Sequence, residues 1–503
     1  MKIFRYILVI MVLHLTACSE DYFDVNSSET TPTTTSLEPQ YRIQGAIENT
    51  TGTAQYRSIR EVLGVIQNGA QGTADYDSET WNYTFTTGRY FLWQNAYVYS
   101  LPNTADLIVL GTKYNAPNYV AVGKILRAYI LGMTTDQYGD IVTKGTYDGE
   151  STMNITPEFV SQKEVYQTIF QYLDEAIGEL DQESSIELNK ENGDVLYGGD
   201  QQKWKQFAYA LKARHLNHLS KKSSGDMAYD ADAIIAACAK AINSNDVNAQ
   251  KNYGGGTAEN DNQPFSAHGY GSSRFDYFSE FFVNLLKNPL NLDTPYEDPR
   301  LSVIVPEAVN GGYQGIVIGT AVPKDNEGNS LKDNYSPGNG GFYTSAASPT
   351  YMFTYSEVKF IEAEAKYRKG DLSGAYDSFR TGVQADLEKL SVGSEDITAY
   401  LTLLDSEVGT TNINLSHIMV QKYITNILNA ETWVDMRRMD YSSEIYPGLK
   451  RPENVNLDIF PGENDWIKAM MYEYNEEDRN YVNMPNNSPY VRLTTPVWWD
   501  QLE

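Results

Sequence analysis

Between Tyr355 and Leu390 the apolar residues fall on two helical stripes parted by a single turn. Val358, Ile361, Ala365 and Tyr367 load the first stripe, Gly370-Asp371 make the turn, and Ala375 and Phe379 load the second. That is the helix–turn–helix spacing of a tetratricopeptide unit, which buries its apolar face by stacking on neighbouring units. Such neighbours are present in the sequence. Tyr119, Val122, Leu126, Tyr129, Ile130 and Met133 recur at helical spacing and end at the turn Tyr138-Gly139-Asp140. Val165, Ile169, Tyr172, Leu173, Ala176 and Leu180 do the same, as do Trp204, Phe207, Ala208, Leu211, His215 and Leu219 behind a Gly198-Gly199-Asp200 start. Ile418, Tyr423, Ile427, Leu428 and Trp433 predict one further helix. The fold class is therefore all-α, mainly helical, with little β structure. Two long insertions interrupt the helices, residues 251–276 and 309–349, both rich in Gly, Asn and Ser. Loops of that length are usually either disordered or functional; their aromatics have no obvious core to face, which favours the functional reading.

The N-terminus carries an address. Lys2 and Arg5 precede the apolar run Ile7 to Leu13, and Leu15-Thr16-Ala17-Cys18 follows. This is a secretory signal with a Cys directly after the small residue at the cut. Residues 1–17 read as a signal peptide, and Cys18 as the acylated (palmitate-bearing) first residue of a lipoprotein. The apolar run is shorter than the ~20 residues a membrane-spanning helix needs. Residues 18–40 then read as a lipidated flexible tether, polar and Thr-rich over 26–38. Ser19-Glu20-Asp21 resembles the export tag of surface-exposed lipoproteins in some Gram-negative bacteria, which gives an outer-membrane, cell-surface localisation. Residues 41–503 read as one domain, since no Pro/Gly/Ser-rich break divides them.

The charge balance narrows the partners. Asp and Glu number 66 against 39 Lys and Arg, a net charge of -27. Such a chain does not suit nucleic acid, whose phosphates demand a positive face, nor anionic lipid. With two Cys in the chain and Cys18 taken by lipid, Cys238 has no intrachain partner and reads as a small core residue. Tyrosine is abundant, 38 against 17 Phe and 7 Trp. Tyrosine offers an apolar face with a polar tip, which suits a wet recognition surface such as a sugar site, although much of it serves helix packing.

Catalytic signatures are missing: there is no Gly-x-Ser-x-Gly, His-Glu-x-x-His or phosphate-binding glycine loop. The chain therefore reads as no enzyme, with a surface glycoside hydrolase or an adhesive repeat protein as lesser alternatives. His215 and His218 lie three apart on a helix and could touch one zinc. No third ligand at a motif spacing accompanies them, so a packed pair is the stronger reading and no metal site is assigned. Asp325-Asn326-Glu327-Gly328-Asn329 offers oxygen ligands for a structural calcium, but lacks the spacing and bidentate Glu of an EF-hand. A plain surface turn is favoured, and no cofactor is expected.

Taken together, the motifs resemble the SusD/RagB-type nutrient-binding outer-membrane lipoproteins. The carrying segments are the lipobox, Phe23-Asp24-Val25-Asn26, Thr135-Asp136-Gln137-Tyr138-Gly139-Asp140, Tyr197-Gly198-Gly199-Asp200 through Trp204 to Arg214, and Asp298-Pro299-Arg300-Leu301. They continue with Tyr355 to Ala365, Glu431-Thr432-Trp433-Val434-Asp435-Met436-Arg437-Arg438 and the ending Pro496-Val497-Trp498-Trp499-Asp500. The resemblance implies about four tetratricopeptide-like helix pairs, with loops that carry the ligand. It also implies a partner, a SusC-type TonB-dependent β-barrel transporter that the lipoprotein covers as a lid. The cargo implied is an oligosaccharide, with peptides carried by relatives as the alternative. Recognition in the family rests on loop aromatics and nearby amides. One candidate group is Trp81, Asn82 and Tyr83, from the stretch Tyr76 to Trp93. The other is Tyr253, Phe265, Tyr270 and Arg274, and the two are expected to converge. For Trp81 a packed loop anchor is an equal reading, while Trp93 with Tyr97 and Leu101, and Trp433, Trp498 and Trp499, read as structural.

Overall fold

A computed structural model describes residues 37–74, 77–83, 91–144, 154, 156–271, 275–485 and 489–502. The chain divides into a unit Met1–Glu38 and a unit Pro39–Glu503. Cys18, the signal and nearly all of the tether lie outside the described residues, as does Arg274. Among the described residues no helix is long and apolar enough to cross a membrane.

The principal helices are α1 (Gln40–Thr50), α2 (Gly52–Ile66), α3 (Leu101–Lys113), α4 (Pro117–Tyr138), α5 (Gln162–Glu179), α6 (Gln201–His218) and α7 (Ala231–Cys238). After them come α8 (Glu280–Lys287), α9 (Tyr355–Lys369), α10 (Leu372–Lys389), α11 (Ser394–Glu407), α12 (Leu415–Thr425) and α13 (Glu431–Arg438). Their starts follow from capping chemistry. Ser161 and Glu164 close a capping box on α5, while Asp200, Thr354 and Asp371 accept from the first-turn amides of α6, α9 and α10. Helix α9 stops where Gly370 takes φ +88, a left-handed conformation that glycine adopts without steric cost.

The helices stack in sequence: α3 on α4, α4 on α5, α5 on α6, α6 on α7, α7 on α9 and α9 on α10. This is the helical, tetratricopeptide-like architecture that the spacing predicts, with α9 and α10 as the unit read between Tyr355 and Leu390. Strands are minor among the described residues. β1 (Gly69–Ala70) pairs antiparallel with β3 (Tyr277–Phe278), and β2 (Ala249–Lys251) with β4 (Thr350–Phe353). The strands clip both loop insertions onto the helical body, since β2 opens the first insertion and β4 follows the second.

Two expectations are corrected. The stripe Ile418 to Trp433 is not one helix. It breaks after Thr425 into α12 and α13, with Leu428 at φ +54; the Asn426 and Asn429 pair that flanks the break favours turn over helix. The insertion aromatics do face a core: Phe265, Phe275 and Tyr343 are buried. Cys238 is a free, buried thiol as expected, and burial pushes its pKa up.

Candidate functional site

The motif residues gather first in a buried charge network. Arg214 of α6 donates from Nε and Nη2 to the Glu357 carboxylate of α9 at 2.8 and 2.7 Å. Arg438 of α13 pairs with Glu364 at 2.7 Å and with Asp435 at 2.6 Å. Lys422 reaches Asp435 at 2.8 Å. His218 lies 2.8 Å from Glu431 through Nε2 and 2.8 Å from the Tyr166 hydroxyl through Nδ1, and Asp136 accepts from Tyr166 and from Trp499 Nε1. Arg300 is held between Asp298 and Asp386 in the same fashion. Paired in this way, buried charges are tolerated; deprived of one partner, they are costly. The network therefore locks α4, α5, α6, α9, α12 and α13 to one another, which accounts for the segments around Asp136, Glu357, Glu431 and Trp499.

The histidine pair is part of this lock. The neighbouring carboxylates Glu431 and Asp136 outweigh burial and raise His218 to about 9. Burial, then the His218 charge, lower His215 to about 4, and its Nδ1 donates to the Leu211 carbonyl at 2.8 Å. Among the described residues no group of three or more His, Cys, Asp or Glu is arranged to hold a metal ion. Asp325 spends its oxygens locally, accepting from the Glu327 and Asn329 amides at 2.9 and 2.8 Å.

A partly open surface of rings and cations lies along one face of α2. Arg57 and Arg60, one turn apart, both face Phe91, at 5.6 and 3.7 Å from guanidinium carbon to ring centre. Beneath Arg57 lies the buried ring of Tyr56, in edge contact with Tyr270 at 4.5 Å and tilted against Phe265 at 5.2 Å. Tyr253 is next to it: its hydroxyl is 3.3 Å from Thr350 Oγ1, and Lys251 stands 5.1 Å over its ring. Phe91, Tyr253 and Tyr270 are half-buried, so each keeps part of its surface open. Gly271 makes the arrangement possible, because a Cβ there would stand 2.3 Å from Tyr56 Cε2.

The first candidate group has a different role. Trp81 takes φ +52 and is fully buried against Phe460 and Trp466, at 5.3 and 5.2 Å. Its ring presents no face to solvent. Tyr83 is also buried and donates to the Glu61 carbonyl at 3.2 Å. Asn82 is exposed and accepts from Asn456 Nδ2 at 3.0 Å. Trp81 and Tyr83 are thus packed anchors. Of the second group, Phe265 and Tyr270 come together around Tyr56, with Phe265 in the core, and Tyr253 packs under Lys251. Sequence reading did not single out Arg57 and Arg60; the available signal was two arginines three apart on one helix. Glu79 ties this region to the second insertion, accepting from Gln71 N and Gly319 N at 2.6 and 3.1 Å, and burial raises it to about 7.

Comparison with known proteins fixes the relationship. The SusD-like family described as "Starch-binding associating with outer membrane" matches residues 26–457. No curated protein matches the chain. Among solved structures, a chitin-binding protein superposes with a TM-score of 0.70 at 23% identity, covering 92% of this chain and 100% of its own. A SusD/RagB family protein from Bacteroides thetaiotaomicron gives 0.71 at 21%, covering 93% and 100%. A SusD homolog from Parabacteroides distasonis gives 0.72 at 20%, covering 93% and 98%. The chain belongs to the SusD-like family, whose description associates it with starch binding and the outer membrane.

Proposed function

We propose that the protein is a lipid-anchored, surface-exposed lipoprotein that captures nutrient oligosaccharides and passes them to a SusC-type TonB-dependent β-barrel, over whose mouth it closes as a lid. The observation that carries the reading is the surface around Arg57. Half-buried rings of Phe91, Tyr253 and Tyr270 leave apolar area on which a sugar face can stack, and guanidinium donors stand between them for hydroxyls or a carboxylate. The family description and the chitin-binding structural relative support glycan as the cargo class. Cys18 supplies the anchor. The stacked helices offer a rigid face for the barrel. Binding, with no catalytic step, suffices for this role. A peptide is the second reading, favoured by the paired guanidinium groups, which would take its C-terminal carboxylate.

The test is crosslinking in intact outer membranes of the native host, followed by identification of what is joined to the chain. A TonB-dependent barrel joined through residues of the helical stack is expected. Recovery of the chain without a barrel, or from the cytoplasmic fraction, would defeat the lid reading.

A further inference from the structure

A second cleft opens beside the C-terminal end of α2, away from the Arg57 surface. Gln67 caps α2 ten residues beyond Arg57, and at ~1.5 Å of rise per residue the two places are ~15 Å apart along the helix. The cleft measures about 420 Å³, within the range of small-ligand sites. One wall is α8 and the turn after it, which present Glu280, Asn284 and Asn291. The other is the Pro447–Glu453 loop, which presents Lys450, Arg451 and Glu453. The floor is apolar, formed by Phe281, Leu285 and Ile318.

The walls are held by groups that are already committed. Gln67 Nε2 donates to the Lys450 carbonyl at 2.7 Å, and Arg451 Nη1 donates to the Phe460 carbonyl at 3.0 Å. Asn288 closes its own turn through Leu292 at 2.9 and 3.0 Å. By contrast, the side chains of Glu280, Asn284, Asn291, Lys450 and Glu453 are exposed and make no hydrogen bond or ion pair among the described residues. The loop is thus fixed in place while the heads that line the cleft stay free.

The chemistry of those heads selects a ligand. Charges of both signs face one space, so neither a purely anionic nor a purely cationic guest is favoured. Side-chain amides pair well with peptide groups, because each supplies a donor and an acceptor. The one aromatic ring, Phe281, lies in the floor with 9% of its surface accessible, so a sugar has no face to stack on. We infer that this cleft binds a short peptide with free termini. Lys450 takes its carboxylate, Glu280 and Glu453 its ammonium group, and Asn284 and Asn291 its backbone. The inference is independent of the oligosaccharide reading and concerns different residues.

Trialanine is the probe, titrated calorimetrically into the full chain in detergent. Saturable binding is expected, and the N-acetylated, C-amidated peptide should not bind. Lys450→Ala and Asn284→Ala should each weaken binding by about tenfold. Both substituted side chains are exposed, so an unaltered melting curve is expected to accompany the loss. Absence of saturation up to about 10 mM trialanine would overturn the inference. So would equal binding of the blocked peptide, binding indifferent to Lys450→Ala, or displacement of trialanine by a neutral oligosaccharide.

Discussion

His218 Nε2 and the Glu431 carboxylate meet at 2.8 Å in a part of the core where both side chains are almost wholly removed from water. On the other side of the ring, Tyr166 passes the imidazole on to Asp136. The ring therefore works as a cation between two acidic groups, and it joins α6 to α13 and α4.

This pair makes stability depend on pH at the alkaline end. The folded pKa of His218 is about 9 against an ordinary 6.5. A raised pKa means that the stabilisation is complete below pH 6.5 and is lost as pH climbs through 9; the difference corresponds to about 3 kcal/mol. Denaturant melts of the parent chain should lose about that much between pH 6.5 and 10 from this group. His218→Gln should be weaker at pH 7 and lack that part of the slope. Identical slopes in both proteins would remove His218 from the account. The acid limb has the opposite sign, since Glu431 and Asp136 are held low by the His218 charge against burial.

Trp81 should prove structural. Its ring fills space against Phe460 and Trp466, and truncating a buried aromatic costs about 3–5 kcal/mol. Trp81→Ala should lower the melting temperature markedly, and any loss of ligand binding should follow the loss of fold. A folded Trp81→Ala with unchanged stability would contradict the packing described.

Gly271→Ala tests the platform beneath the candidate site. The added methyl would overlap Tyr56, whose ring is confined by Phe265 and Tyr270. Overpacking of this kind costs about 1–3 kcal/mol. The variant should fold with reduced stability and bind cargo more weakly. Wild-type behaviour in both respects would mean that Tyr56 moves freely.

What the sequence made legible followed from periodicity. The α9–α10 unit, α4, α5 and α6 are long stripes that bury one face, and pattern alone finds such elements. The α12–α13 break was hidden because Ile427 and Leu428 keep the helical spacing while the backbone turns through Leu428. At the site, residue type was a better guide than position. Tyr253 and Tyr270 of the insertion keep part of their surface open. Trp81 and Phe265 share their chemistry, but burial, which depends on contacts with Phe460 and Tyr56 far away in the chain, made them core. Arg57 and Arg60 were missed because a helix flanked by apolar residues reads as core, and the exposed edge of α2 appears only once the insertions are folded around it.

The most direct measurement is calorimetric titration of oligosaccharides, starch- and chitin-derived among them, into the chain and into its Arg57→Ala and Tyr270→Ala variants. The account predicts saturable binding of at least one glycan, weakened about tenfold or more in both variants without a matching fall in melting temperature. Glycan binding untouched by either substitution would contradict the assignment of the α2 surface, and failure of every glycan to bind would contradict oligosaccharide capture itself.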